Sequence, residues 1–205
     1  HIQGLPFFAP SYFKDYEIEM YGPLANFEER IRAQNDPRYF PVPFDKMGAN
    51  FKIKQIEDGE TLQFGNVRVG SIKMYHPGDS WSYRFDVGGK SFTFATDSEF
   101  NNRPPDFIKS RENFFRGSDV LVLDTQYTHI EAFQKIDWGH SSAPVAVDIT
   151  VGSEVHHLIL FHHEPTYNDD KVFELMTIAQ RYKDLNYTEY DLKLEIAREG
   201  LVVDV

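Results

Sequence analysis

Imidazoles and carboxylates recur in this chain where strands or helices should begin or end. His76 stands in YHPGDSWSYRF and Asp97 in TFATDSEF. Asp124 closes VLVLD, His140 stands in WGHSS, and His162 with His163 ends LILFHH, with Glu164 next. These residue types hold divalent metals and move protons. Neutral imidazole is a zinc ligand, and only a carboxylate offers two oxygens to span a pair of ions. Each residue also has an ordinary reading. His-Pro-Gly forms turns, an Asp after Thr caps the next turn of chain, Asp124 can close a turn, and His140 can bond a nearby backbone group. At most one of His162 and His163 is expected at a site, because the two must point apart. His129, His156 and His157 read as surface or core histidines.

The elements that would position these groups are legible around His76 and Asp97. Residues 82–87 and 91–95 alternate polar and apolar as half-buried strands do. Gly88-Gly89 between them supplies the two positive-φ positions of a tight primed turn. The ends of such a hairpin are neighbours, so His76 and Asp97 are expected at one rim. Asp124 and the His162-His163 pair come directly after apolar runs that read as buried strands, and ligands gather beyond the carboxyl ends of strands in open α/β sheets.

Along the rest of the chain, a short strand is predicted at 17–21, then a helix from Pro23 to about Gln34 with Leu24, Phe27 and Ile31 on one face. Residues 35–50 form a Pro-rich, aromatic loop that either lines a binding site or covers a sheet edge. Strands at 51–56, 61–64 and 67–75 join the hairpin in a run of antiparallel structure. Helices come next at 106–115, 130–135, from Ser141-Ser142 to about 151, and from an Asp169-Asp170 cap to about 183. Strands fall at 120–123, 157–161 and 191–197. Antiparallel strands succeeded by alternating helix and strand indicate a layered α/β domain, and a single domain over 1–205 is expected.

Composition narrows the function classes. Hydrophobic content of 41% and charged content of 26% are globular values. With no cysteine there is no thiolate metal site, catalytic thiol or disulfide framework, and a cytoplasmic protein is expected. No apolar run approaches the ~20 residues of a membrane span. Twenty-one basic residues face 32 acidic ones, for a net charge of −11. That balance counts against long nucleic acids as partners and favours a small substrate.

In order and spacing, HIQGLPFF, HPGDSWSYRF with TFATDSE, LDTQYT with WGHSS, and LILFHHEPTYNDD resemble the motifs of the metallo-β-lactamase-fold hydrolases. The likeness is to the phosphodiesterase branch, which includes the tRNA 3′-processing endonuclease and the cyclic phosphodiesterase of phosphonate breakdown. The resemblance covers essentially the whole chain and implies an αββα sandwich. The chain begins at the last histidine of the family's H-x-H-x-D-H signature, so the N-terminal portion of that fold is expected to be missing from it. By position, His1 would bind one metal ion, His76 the other, Asp97 would bridge them, and His162 would complete the shell around the ion that His1 binds. The cofactors implied are two divalent ions, with zinc first and manganese or iron as alternatives. A metal-bridging hydroxide would attack a small or cyclic phosphodiester. His140, oriented by Asp124, would be the general acid. Ser stands where the branch's His-Ser-Thr loop usually has Thr. The alternatives are a hydrolase of lactam, thioester or lactone bonds, and an inactive module that binds a partner through the aromatic loop. A homodimer is the commonest assembly for such domains.

Overall fold

A computed structural model describes residues 4–205. The chain groups into two compact units, one ending at Asp58 and one starting at Gly59.

In the first unit, β1 (Glu17–Gly22) and β2 (Asn50–Gln55) pair in parallel, Glu17 opposite Asn50. This departs from the antiparallel run expected at 51–56. Parallel pairing needs a crossover of about a dozen residues or more, and the segment between the two strands supplies it, with α1 (Phe27–Ala33) inside. α1 starts later than Pro23 suggests. Asn26 adopts a left-handed backbone (φ 57°), which Asn tolerates better than most residues, so the chain turns there before the helix begins. Phe27 and Ile31 then pack with Phe44 and Met47 as the core of the unit, with Leu24 partly buried beside them. The aromatic loop divides its side chains. Phe44 is in that core under the Arg32 guanidinium, whereas Tyr39 is 77% exposed. Phe40 meets Phe7 edge-on, and both line a cleft of about 550 Å³ together with Arg30 and Tyr39.

The second unit is built on a seven-stranded sheet. In sequence order, which is also spatial order, it comprises β3 (Thr61–Phe64), β4 (Val67–Met74), β5 (Ser80–Val87), β6 (Lys90–Ala95), β7 (Val120–Asp124), β8 (His157–Phe161) and β9 (Lys193–Ile196). Strands β3 to β6 are antiparallel, and β6 to β9 are parallel. The change falls where connections of two to five residues give way to ones that carry helices. The expected hairpin is β5–β6, with Val87 opposite Lys90 and both Gly88 and Gly89 at positive φ (59° and 79°).

The connecting helices are α2 (Pro105–Phe115), α3 (His129–Gln134), α4 (Ala143–Gly152) and α5 (Asp169–Asn186). Phe115, Ala146, Val147, Ile149 and Ala179 from α2, α4 and α5 join Leu121, Leu123, Leu158 and Leu160 of the central strands in one core. Val120 and Val122 point to the other face and pack with Ile159. β7 is therefore buried at every position, as an unbroken VLVL run implies for a central parallel strand. Each fully buried Leu or Phe contributes about 1.5–3 kcal/mol, so this strand is the firmest support available for Asp124 at its end.

The α5 cap differs from expectation, whereas α4 starts at Ser142 as expected. α5 is capped by Asn168, whose side chain accepts from the Lys171 amide, and Asp169 and Asp170 sit in the first turn, where the helix dipole favours them. Ser142 holds the N-cap position of α4, but its Oγ makes no capping bond and is buried without a partner. Among the described residues, no helix is long and apolar enough to cross a membrane.

Candidate metal centre

Strands β6, β7 and β8 lie side by side and parallel, so the residues beyond their carboxyl ends converge. Adjacent strands are ~4.8 Å apart, and the register sets Ala95 beside Leu123 and Asp124 beside Phe161. Asp97, Asp124 and His162 therefore leave the sheet as neighbours. His140 reaches them from the loop before α4, which an isolated bridge between Tyr127 and Ser142 holds against the segment leaving β7. One ligand atom from each of Asp97, Asp124, His140 and His162 lies within 4.8 Å of all the others.

His162 Nε2 is 3.0 Å from Asp97 Oδ1, and His140 Nδ1 is 2.7 Å from Asp124 Oδ2. Asp97 and Asp124 are both buried. Asp124 also accepts from the amides of Ser98, Gln126 and Ser141. A carboxylate held by three backbone amides cannot swing, so it fixes the imidazole bonded to it. Because the carboxylate accepts, His140 carries its proton on Nδ1 and turns Nε2 to other work. Asp97 (φ 53°) and His162 (φ 63°) both adopt left-handed backbone, which persists only where the surroundings over-determine it and clusters at functional sites. The donor set is two carboxylates and two imidazoles, partly screened from solvent, and it fits a divalent ion such as zinc, manganese or iron.

His162 points into the cluster. His163 points away, with Nε2 3.1 Å from the Ala197 carbonyl oxygen. His76 lies beside the cluster, its ring 5.1 Å from that of His140, but it is not one of the four convergent donors. His1 lies outside the described residues. His156 stacks on Tyr190, and His157 pairs with Glu195 at 2.6 Å, which gives both structural roles. Glu164 accepts from Gln126 at 3.0 Å.

Two contributors were not selected by residue type. Tyr127 is buried with its ring edge-on to His140. Burial, with the nearby charges of Glu164 and Asp124 next, pushes its phenol up to about 12, so it stays neutral in ordinary buffers. Gly139 has φ +96°, and a Cβ built there would lie 2.4 Å from Cδ2 of His76. Its signal was the glycine directly before His140. Gly139→Ala combines strained backbone with that overlap. It is expected to lower stability by about 2–3 kcal/mol, or about 5–10 °C in Tm. Thermal unfolding checks this, and an unchanged Tm would mean the loop has room.

Residues 1–163 match the family model described as a β-lactamase superfamily domain. The chain belongs to this family, and its fold is of the metallo-β-lactamase type. A ribonuclease Z from Archaeoglobus fulgidus is 22% identical, the alignment covering 84% of this chain and 71% of the relative. The crystal structure of the metallo-β-lactamase fold protein YhfI from Bacillus subtilis superposes with a TM-score of 0.65 and 18% identity, covering 90% of this chain and 64% of that one. The short form of human tRNase Z gives 0.63 and 12%, covering 93% of this chain and 69% of that one. The chain thus spans roughly two thirds of the length of these proteins.

Proposed function

We propose that this chain carries the catalytic residues of a metal-dependent phosphodiesterase acting on a small or cyclic phosphodiester. The observation that carries the reading is the His140–Asp124 pair set against Asp97 and His162 within one cluster of donors. Asp97 and His162 would hold a divalent ion, with His76 and His1 as further ligands if two ions are bound. Such a cation supplies Lewis acidity and a bound water of lowered pKa. Asp124 accepts from Nδ1–H and leaves Nε2 facing outward, so that His140 in its imidazolium form would give its Nε2 proton to the departing oxygen and be left as the neutral Nδ1–H tautomer. Tyr127 packs edge-on against that imidazole and covers one side of it. The names of the ribonuclease Z relatives support a phosphodiester. The net charge of −11 supports a small one.

The test loads the chain with zinc or manganese and monitors hydrolysis of bis(p-nitrophenyl) phosphate and 2′,3′-cyclic uridine monophosphate. Turnover is expected that chelation abolishes and added metal restores. No turnover and no metal retained at saturating concentration would overturn the reading.

A further inference from the structure

Glu99 is a carboxylate with no solvent exposure, four positions beyond the last residue of β6 and four before Arg103. Its Oε2 accepts from the Gly139 amide at 2.8 Å, and its Oε1 from the Asp137 amide at 3.2 Å and Arg103 Nη2 at 2.9 Å. Arg103 is sandwiched in turn. Its guanidinium lies 3.9 Å over the Tyr75 ring, and Nη2 also donates to Asp137 Oδ1, which accepts from the Tyr75 hydroxyl as well. The Glu99 amide donates to the Tyr75 carbonyl oxygen, and Asn101 Nδ2 to that of His140. Asp137 and Gly139, the two residues whose amides Glu99 takes, both have positive φ (69° and 96°). Such backbone stays put only when something outside the loop holds it.

The network joins the two segments that carry His76 and His140. Tyr75 precedes His76, Gly139 precedes His140, and Gly139 packs directly on the His76 ring. A buried ion pair is not in general a source of stability, because desolvation offsets its attraction. What Glu99 supplies is direction: one rigid acceptor for two alternate amides of a single loop.

We propose that Glu99, braced by Arg103, is a positioning residue that locks the 137–140 loop and thereby sets His140 against His76. Its effect on catalysis rests on the phosphodiesterase reading, in which His140 is the acid; its effect on the loop does not. In Glu99→Gln the shape is kept, but an NH₂ replaces one acceptor and faces an amide or the guanidinium.

Two readouts test this. In hydrogen exchange on the metal-free chain, the amides of 137 and 139 are expected to exchange at least tenfold faster in the variant, with β6 to β8 unchanged. In the metal-loaded chain, kcat on 2′,3′-cyclic uridine monophosphate, whose leaving alkoxide needs a proton, is expected to fall about 10- to 100-fold. Bis(p-nitrophenyl) phosphate, with its good leaving group, should fall far less, and metal content should not change. Exchange that rises throughout the sheet, or an equal loss on both substrates, would overturn the proposal in favour of a general structural role. Unchanged exchange would overturn it outright. If Glu99→Gln does not fold, Arg103→Lys, which removes the planar brace over Tyr75, is expected to speed the same two amides, and its failure to do so counts against the lock. If the wild-type chain turns over neither diester, the phosphodiesterase reading fails while hydrogen exchange still decides the lock.

Discussion

Replacing Asp97 by Asn is expected to empty the metal centre and reduce diester hydrolysis by about 10³-fold, equivalent to about 4 kcal/mol of transition-state stabilisation. The residue is buried, its Oδ1 is 3.0 Å from His162 Nε2, and it adopts left-handed backbone. Asn accepts that backbone nearly as readily as Asp, so the fold should survive and the loss should lie in the charge and the second oxygen. Metal content and kcat measured on the same sample separate the outcomes. Full metal retention with full activity would remove Asp97 from the centre. Retention with lost activity would make it a positioning group for His162.

Replacing His140 by Ala is expected to cost about 10²- to 10⁴-fold in kcat on an alkyl diester while leaving metal content unchanged. The two halves of this expectation test different things. His140 is one of four convergent donors, but its Nδ1 is committed to Asp124 at 2.7 Å. If its role is proton donation, the loss shrinks on p-nitrophenyl esters, whose leaving group departs without a proton. If it is a ligand, metal is lost and both substrates suffer alike. His140→Ala also exposes the Asp124 carboxylate to an unfilled space, so the folded state should be checked by near-UV circular dichroism. Asp124→Asn, which retains shape and three backbone amide neighbours but can favour the wrong tautomer, should reproduce most of the kinetic loss if orientation is what Asp124 supplies.

Local features of the sequence were enough for much of this protein. Alternation at 82–87 and 91–95 with Gly88-Gly89 specified the β5–β6 hairpin, because a primed turn and a period of two are properties of neighbouring residues. The VLVL run marked β7 as a central strand for a similarly local reason: burial on both faces leaves no polar position. The residue types at strand ends set out His76, Asp97, Asp124, His140, the His162-His163 pair and Glu164 as candidates, four of which the fold gathers in one cluster, and the order of motifs pointed to the family to which the chain belongs.

What required the tertiary structure was every choice between partners distant in sequence. That β2 pairs in parallel with β1 depends on where the crossover lands, which nothing within 51–56 encodes. That His162 rather than His163 joins the donors depends on the left-handed turn after β8 and on Ala197 taking the other ring. Asp124 and His140 stand sixteen residues apart in the chain; only the parallel register of β6 to β8, together with a loop pinned by Glu99, brings them to 2.7 Å. Period and turn chemistry act over a few residues and can be read in order, whereas register and side-chain direction are settled by packing across the whole sheet.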